Sequence, residues 1–189
     1  LSKKQILEVA KNIETQIISA PTGWQDYFPA LYGGARSVRP SFDKIDSVAL
    51  PICLKKLTQN MILCYTGHPR QSGINNWEVM KKFLDGDRIV TKRLKNISRI
   101  AKAMDKALSA GQIKKTAKFL NLEWQARKLL APTISNHHME KLISGAKKQG
   151  AQAAKVCGAG GGGCIAFVVP PKKKASISFE LTRLKGQVI

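Results

Sequence analysis

The chain has 189 residues, 43% of them hydrophobic, which is enough apolar material for one sizeable globular domain or two small ones. Its 32 Lys and Arg against 12 Asp and Glu give a formal net charge of +20, which favours an anionic partner. No apolar run is long enough to span a membrane, and the opening segment, with charges interleaved at helical spacing, is neither a signal peptide nor a membrane anchor.

The excess charge is spread along the chain as Lys pairs, which usually lie on solvated helix faces. Nucleic acid would be the obvious anionic partner, but only 6% of the residues are aromatic, so stacking platforms for bases are scarce. We therefore expect no nucleic-acid partner. The four Cys lack CxxC spacing and fit buried, reduced thiols in a cytoplasmic protein.

Hydrophobic periodicity and turn residues predict the order of the elements. The predicted elements are a helix over 1–18, a short helix over 27–32, strands over 35–39, 47–53 and 60–66, helices over 77–84, 88–108 and 111–130, a helix capped by Ser135 that ends near Gly150, strands over 153–157 and 164–169, a helix over 176–184 and the start of a strand at 187–189. Strands and helices that do not alternate strictly indicate an α+β fold.

The strongest chemical signal is the segment KVCGAGGGGCIAF at residues 155–167. Four successive glycines between two apolar strands carry a high cost in chain entropy. Such a loop lets the backbone approach a ligand closely and aims N–H groups at one point, which suits phosphate oxygens. It is not a Walker loop, because no Gly-Lys-Ser/Thr follows. A flexible connector between the strands is the alternative.

Two carboxylates from the first part of the sequence, Asp26 and Glu14, are the next features to consider. Asp26 lies in the Gly- and Pro-bounded segment APTGWQDYFPALYGG at residues 20–34, and Glu14 lies near the end of the basic first helix. Taken alone, the first pattern favours a turn aspartate that accepts hydrogen bonds from its own backbone. Glu14 taken alone has the spacing for a surface ion pair with Lys11.

The glycine segment resembles the third conserved motif of the GHMP kinases, a superfamily that includes galactokinase, mevalonate kinase and the heptose and fucose kinases. This resemblance implies a strand–loop–strand that borders the active site. It also implies ATP as the phosphoryl donor. The expected nucleotide and phosphate loop consists of Gly158, Ala159, Gly160, Gly161, Gly162 and Gly163.

The Asp26 segment looks like the family segment that carries the catalytic aspartate. Asp26 would accept or orient the proton of the acceptor hydroxyl and set that hydroxyl in line with the γ-phosphorus. The resemblance further implies that Gly23 and Gln25 bind substrate. The two-residue spacer between Gly23 and Asp26 is similar to galactokinase, fucokinase and the heptose-phosphate kinases, whereas mevalonate kinases usually have one residue fewer.

Two further residues acquire expected roles from the resemblance. A family glutamate at the offset of Glu14, twelve positions before Asp26, binds the Mg²⁺ that bridges the β- and γ-phosphates. The segment YTGHPRQSG at residues 65–73 resembles the Thr-Gly-x-x-Arg segment of the heptose kinases. Arg70 could therefore hold a substrate phosphate or carboxylate by a two-pronged contact, with a solvent-exposed turn arginine as the equal alternative.

We thus expect a GHMP-kinase-like α+β fold. Residues 1–74 would be the remainder of an N-terminal catalytic domain, and residues 75–189 a C-terminal domain of helices on a small antiparallel sheet. The family's Gly-Leu-Gly-Ser-Ser type phosphate loop is not in this sequence, so we expect the C-terminal part of a kinase that is inactive alone.

The expected activity is ATP- and Mg²⁺-dependent phosphoryl transfer to a hydroxyl of a sugar or sugar phosphate, with the anomeric hydroxyl as one option. Two alternatives stay open at this point. One is a kinase for a mevalonate-type alcohol, and the other is a non-catalytic protein that binds a polyanion or nucleic acid on the same scaffold. The kinase interpretation requires that Asp26 and the polyglycine turn converge on one cleft.

Overall fold

The computed structural model describes residues 1–41, 44–69 and 72–189, with the backbone alone for residues 72–75. Helices and antiparallel strands are mixed along the chain, which confirms the predicted α+β class. The elements are α1 (Lys3–Ile18), α2 (Tyr27–Tyr32), β1 (Arg36–Pro40), β2 (Ile45–Ala49), α3 (Leu54–Gln59), β3 (Met61–Tyr65), α4 (Ser72–Leu84), α5 (Arg88–Ser109), α6 (Ile113–Arg127), α7 (His137–Lys148), β4 (Ala153–Val156), β5 (Cys164–Val168), α8 (Lys174–Arg183) and β6 (Gln187–Val188).

The main sheet has four antiparallel strands in the order β4-β5-β3-β6. Strand β3 is paired on both sides, with Tyr65 opposite Cys164 of β5 and Cys64 opposite Val188 of β6. This pairing brings the turn after β3 next to the glycine loop that links β4 and β5. The division of the chain after residue 74 stays a prediction, and the sheet takes β3 from before that point and its other strands from after it.

The hydrophobic core lies between this sheet and helices α6, α7 and α8. Each element contributes side chains with at most 1% exposure, among them Trp124, Met139, Leu142, Phe167, Ile177 and Leu181. Full burial of one such side chain stabilises the fold by roughly 1.5–3 kcal/mol. The strands that flank the glycine loop are therefore anchored in the best-packed part of the molecule.

The first part of the chain forms a smaller unit of α1, α2 and the antiparallel β1–β2 hairpin. Helix α1 begins with a capping box, in which Gln5 N–H donates to Ser2 Oγ (3.2 Å) and Ser2 N–H donates to Gln5 Oε1 (2.7 Å). The helix predicted over residues 1–18 is thus confirmed. Its last two turns leave Ile13 and Ile17 more than half exposed.

The structure differs from the predicted elements where local signals are weak. Strand β2 ends at Ala49 rather than at residue 53, and Pro51, which lacks an N–H, lies in the irregular stretch that follows. The short helix α3 was not predicted. Helix α7 is capped by Asn136, whose Oδ1 accepts from Met139 N–H at 3.0 Å, and not by Ser135.

Within the described ranges, no helix combines the length and the apolar content that crossing a bilayer requires.

Candidate active site

Asp26 and the start of the glycine loop line the same narrow cleft, which has a volume of about 40 Å³. Three segments that are distant in sequence form its walls: the end of α1 with the loop after it, the first half of α4, and the start of the β4–β5 loop. The lining residues are Glu14, Ile18, Thr22, Gly23, Gln25, Asp26, Tyr27, Asn76, Gly158 and Ala159.

The Asp26 carboxylate is exposed and does not cap the helix that it precedes. Its backbone is already helical, and its side chain makes no capping hydrogen bond to α2. Within the described residues, the hydrogen bond to this carboxylate is a long one of 3.5 Å from Gln25 Nε2. The turn-aspartate alternative is therefore not what the structure contains, and the carboxylate can accept a proton or hydrogen bond from a ligand in the cleft.

Glu14 lies beside Asp26 in the cleft and is held by Tyr27, whose hydroxyl donates to Glu14 Oε2. Burial and then this hydrogen bond raise the pKa of Tyr27, because loss of its proton would place a second negative charge against Glu14. Lys11, the other candidate partner of Glu14, lies over the Trp24 ring with Nζ 5.1 Å from the centroid. The surface ion-pair alternative is thus replaced by a carboxylate oriented within the cleft.

The loop between α1 and α2 is fixed by two polar contacts. The hydroxyls of Thr15 and Thr22 lie 2.8 Å apart and share a hydrogen bond, and Asn76 Nδ2 of α4 donates to the carbonyl oxygen of Pro21 at 3.1 Å. The second contact ties the loop that carries Asp26 to a helix more than fifty positions later in the chain. These side chains position the cleft wall rather than supply chemistry.

The later glycines of the β4–β5 loop allow close packing of backbone on backbone. A Cβ on Gly160, which has φ +90°, would lie 2.5 Å from the carbonyl oxygen of Ile134, and a Cβ on Gly162 would lie 2.4 Å from that of Pro69. Both distances are far below van der Waals contact. Glycine at these two positions is therefore required by the fold itself.

Two N–H groups of the loop are bonded to protein carbonyls. Gly161 N–H donates to Ile134 O and Gly163 N–H donates to His68 O, each at 2.9 Å. The expected phosphate contacts from backbone N–H groups of the loop do not include these two glycines, because their N–H groups donate to protein carbonyls. Among the residues of the loop, 158–159 line the cleft.

All four cysteines are unpaired, but they are not uniformly buried as predicted. Cys53 is exposed, Cys64 is fully buried, and Cys157 and Cys164 are half-buried. Burial raises the pKa of Cys157, the residue before the loop, and the nearby Cys164 thiol raises it further. The thiol next to the cleft is therefore held in its neutral form at neutral pH.

Six of the expected site residues line one cleft, whereas residues 160–163 pack elsewhere as described. Arg70 lies outside the described residues, so its role stays a prediction. Sequence reasoning missed Tyr27 and assigned no role to Asn76. Tyr27 directly follows the expected catalytic aspartate, but nothing in the spacing signals its contact with a carboxylate thirteen positions earlier.

The chain is similar to known proteins both in sequence and in fold. Residues 100–183 match the family model described as GHMP kinases C terminal. The chain is 26% identical over 193 residues to the D-glycero-alpha-D-manno-heptose 7-phosphate kinase of Campylobacter jejuni, covering 100% of this chain and 56% of that protein. It is 24% identical over 166 residues to the bifunctional fucokinase/GDP-fucose pyrophosphorylase of Arabidopsis thaliana, covering 85% of this chain and 16% of that one.

Among solved structures, the mevalonate kinase of L. major in complex with R-mevalonate superposes with a TM-score of 0.77 at 17% identity, over 97% of this chain and 55% of that chain. At this identity the likeness concerns the fold. The chain thus spans about half the length of the Campylobacter and L. major proteins. Residues 100–183 are thus similar to the C-terminal domain of GHMP kinases, and the chain has a GHMP-kinase-like fold.

Proposed function

We propose that this chain forms the acceptor side of a cytoplasmic kinase that transfers the γ-phosphoryl group of ATP to a hydroxyl of a sugar or sugar phosphate. The observation that carries the proposal is the shared cleft, in which Asp26 and Glu14 face the start of the glycine loop. The heptose-phosphate kinase and fucokinase relatives support a sugar as the acceptor class.

Asp26 is the group that acts on the acceptor. An exposed carboxylate that is not used as a helix cap can accept the proton of a hydroxyl placed at about 2.6–3.2 Å from it. The same hydrogen bond orients the hydroxyl oxygen toward the phosphorus that it attacks. Gly23 and Gln25 also line the cleft and are proposed to contact the acceptor.

Glu14 fits a Mg²⁺ ligand by its chemistry and its surroundings. Its carboxylate shares a cleft of about 40 Å³ with the Asp26 carboxylate, and two such charges favour a bound cation. The described residues contain no group of three or more His, Cys, Asp and Glu side chains that could hold a metal ion by itself. Glu14 would therefore supply one oxygen ligand, and other positions would come from phosphate and water. Mg²⁺, when bound, would neutralise charge on the triphosphate.

The size of the cleft limits which part of ATP the cleft itself would hold. Pockets for drug-sized ligands usually measure roughly 300–1,000 Å³, whereas this cleft measures about 40 Å³. It can accept a terminal phosphoryl group but not a base and a ribose. Residues 158–159 would approach that phosphoryl group, and the remainder of the nucleotide would be bound outside the cleft.

The test is phosphoryl transfer by the protein produced from its complete natural reading frame, assayed by ADP release over a panel of sugars and sugar phosphates. Asp26→Asn should reduce kcat by about 10²–10⁴-fold, the usual contribution of a positioned general base. Asp46→Asn is the matched control, because Asp46 is exposed and paired with Lys44 at 3.0 Å. Equal rates for Asp26→Asn and the parent, or transfer to no acceptor in the panel, would overturn the proposal.

Metal binding has its own test. Glu14→Gln should raise the Mg²⁺ concentration needed for half-maximal rate, whereas Glu8→Gln, which changes an exposed carboxylate on the same helix, should not. A second readout is the quenching of Tyr27 resonances by Mn²⁺ in the parent protein, because the Tyr27 hydroxyl contacts Glu14. Quenching that persists in Glu14→Gln would remove Glu14 as the ligand.

A mevalonate-type alcohol is the second candidate acceptor, and one observation favours it. A groove of about 320 Å³ adjoins the cleft and is lined mainly by apolar side chains, including Val79, Met80 and Phe83. A short hydroxy acid with a methyl branch would bury more apolar surface there than a sugar would. The same acceptor panel, extended to mevalonate, separates the two candidates.

A further inference from the structure

The groove beside the cleft contains one charged residue among the described residues that line it, Arg127 at the end of α6. Four residues, Thr22, Gly23, Asn76 and Ala159, line both the groove and the cleft, so a single ligand can occupy the two together. The rest of the groove wall is apolar and consists of Pro21, Val79, Met80, Phe83, Leu94, Leu130 and Ile134.

Arg127 is held in place by an ion cluster around a nearly buried carboxylate. Its Nε donates to Glu123 Oε1 at 2.5 Å, and the Glu123 side chain is 4% exposed. Lys155 of β4 contacts the other carboxylate oxygen of Glu123. The cluster links α6 to the strand that leads into the glycine loop, so the position of the guanidinium is coupled to that of the cleft wall.

The charge of this cluster is unbalanced. One carboxylate faces two cations, and the resulting net charge of +1 lies where water access is limited, since the side chain of Arg127 is 29% exposed and that of Lys155 is 22% exposed. Burial lowers the pKa of Lys155, and repulsion from Arg127 adds to this effect. A partly desolvated guanidinium next to apolar walls binds a planar or tetrahedral anion more strongly than it would in open solvent.

We propose that Arg127 binds an anionic group of the phosphoryl acceptor, a phosphate or a carboxylate, at the end remote from the hydroxyl that faces Asp26. The acceptor is then a sugar phosphate or a hydroxy acid, and a neutral sugar is a poor substrate. The assignment of the anion to the acceptor rests on the proposed function. Anion binding at Arg127 is independent of the proposed function.

Direct binding to the chain tests the proposal without phosphoryl transfer. Titration calorimetry with glucose 6-phosphate, mevalonate, inorganic phosphate and glucose should give binding of the anions and none of glucose. Loss of one charge-assisted contact should weaken anion binding about 10- to 100-fold in Arg127→Gln, and Arg127→Lys should recover part of it. The preferred anion distinguishes a phosphorylated sugar from a hydroxy acid.

The matched control is Lys102→Gln, which removes the same charge from an exposed position on α5. If Lys102→Gln and Arg127→Gln bind glucose 6-phosphate equally, the effect belongs to the net charge of the protein and the proposal is wrong. A readout on the parent guards against misfolding of the variant. Anion binding should shift the NMR signals of Arg127 Nε–H and of the Ala159 amide, and shifts confined to other regions would also overturn the proposal.

The two proposals fail separately. Asp26→Asn should reduce kcat for phosphoryl transfer by about 10²–10⁴-fold but retain anion binding, because it removes a negative charge from the adjoining cleft. Anion binding that depends on Arg127 in a protein whose transfer activity ignores Asp26 would refute the kinase proposal alone. If phosphoryl transfer depends on Asp26 but Arg127→Gln does not change the anion affinity, only the proposed role of Arg127 is refuted.

Discussion

The β4–β5 loop should tolerate added methyl groups very differently from one glycine to the next. Gly160→Ala combines two costs, because φ at this residue is +90° and the new Cβ would lie 2.5 Å from Ile134 O. Relief of that contact requires the loop to move away from Ile134. The move would stretch the 2.9 Å hydrogen bond from Gly161 N–H to the same carbonyl.

Comparison variants separate the two costs. Gly111→Ala adds a methyl group at φ +65° with no atom within 4 Å, so it should cost about 1–2 kcal/mol for backbone strain alone. Gly162→Ala has φ outside the left-handed region but places Cβ 2.4 Å from Pro69 O, so overpacking alone should cost about 1–3 kcal/mol. Gly160→Ala should cost about 3–5 kcal/mol, because backbone strain, overpacking and a weakened hydrogen bond add together.

Urea unfolding followed by far-ultraviolet circular dichroism measures these free energies. The expected order of destabilisation is Gly160→Ala, then Gly162→Ala, then Gly111→Ala. If Gly160→Ala were no more destabilising than Gly111→Ala, the loop would not be packed against Ile134. The glycines would then be better explained by an N–H cradle for phosphate.

Three further changes test other parts of the molecule. Asp87→Ala removes the cap of α5 and should lower the free energy of unfolding by about 1 kcal/mol in urea, whereas Asp85→Ala, at an exposed position nearby, should not. Glu123→Gln leaves two cations without their carboxylate and should cost about 3–5 kcal/mol in the same assay. Burial raises the pKa of Cys64 from 9.0 to about 11, so stability should fall from pH 9 to pH 11, because the unfolded thiol loses its proton first, and Cys64→Ala should flatten that decline.

Each of these changes has an outcome that contradicts its physical basis. Equal stabilities for the Asp87 and Asp85 variants would show that the cap contributes nothing. A Glu123→Gln protein as stable as the parent would mean that water reaches the two cations. If stability declines above pH 9 to the same extent in Cys64→Ala, the decline belongs to other groups that titrate in that range.

Long periodic segments were predicted well from sequence. Helix α5 was expected over 88–108 and spans Arg88–Ser109, because apolar residues recur on one face through six turns and Asp87 precedes them. Helix α3 was missed because six residues with two Lys and no capping side chain carry little helical signal. None of its side chains is buried in the structure.

The site residues that belong to recognisable sequence motifs could be predicted. The resemblance implied that Asp26 and the glycine loop face one cleft, and the structure places Glu14, Asp26 and the first two loop residues, 158–159, in one cleft. The hydrogen bonds of the Gly161 and Gly163 N–H groups could not be predicted, because their acceptors are the carbonyls of Ile134 and His68, which are distant in sequence. Such contacts depend on the tertiary packing of helices against the sheet, and local sequence patterns do not specify that packing.

Arg127 illustrates the same limit. In the sequence it is one of 32 basic residues near the end of a Lys-rich helix, where a solvated position is the ordinary expectation. Only the fold reveals a nearly buried carboxylate on its own helix and a Lys from a strand beside it. A charge pattern in sequence therefore indicates how many cations a protein has but not which of them face a groove.

The pairing of β3 with β5 has a consequence for the order of assembly. Tyr65 lies opposite Cys164, so 99 positions of chain separate two neighbours in the sheet. A ribosome must release the whole α4–α7 region before β3 acquires its first partner, whereas the α5–α6 hairpin needs only local contacts and can form early. The glycine wall of the cleft arrives with β5, so a nascent or truncated chain that lacks β5 would present the Asp26 carboxylate without the surface that it faces.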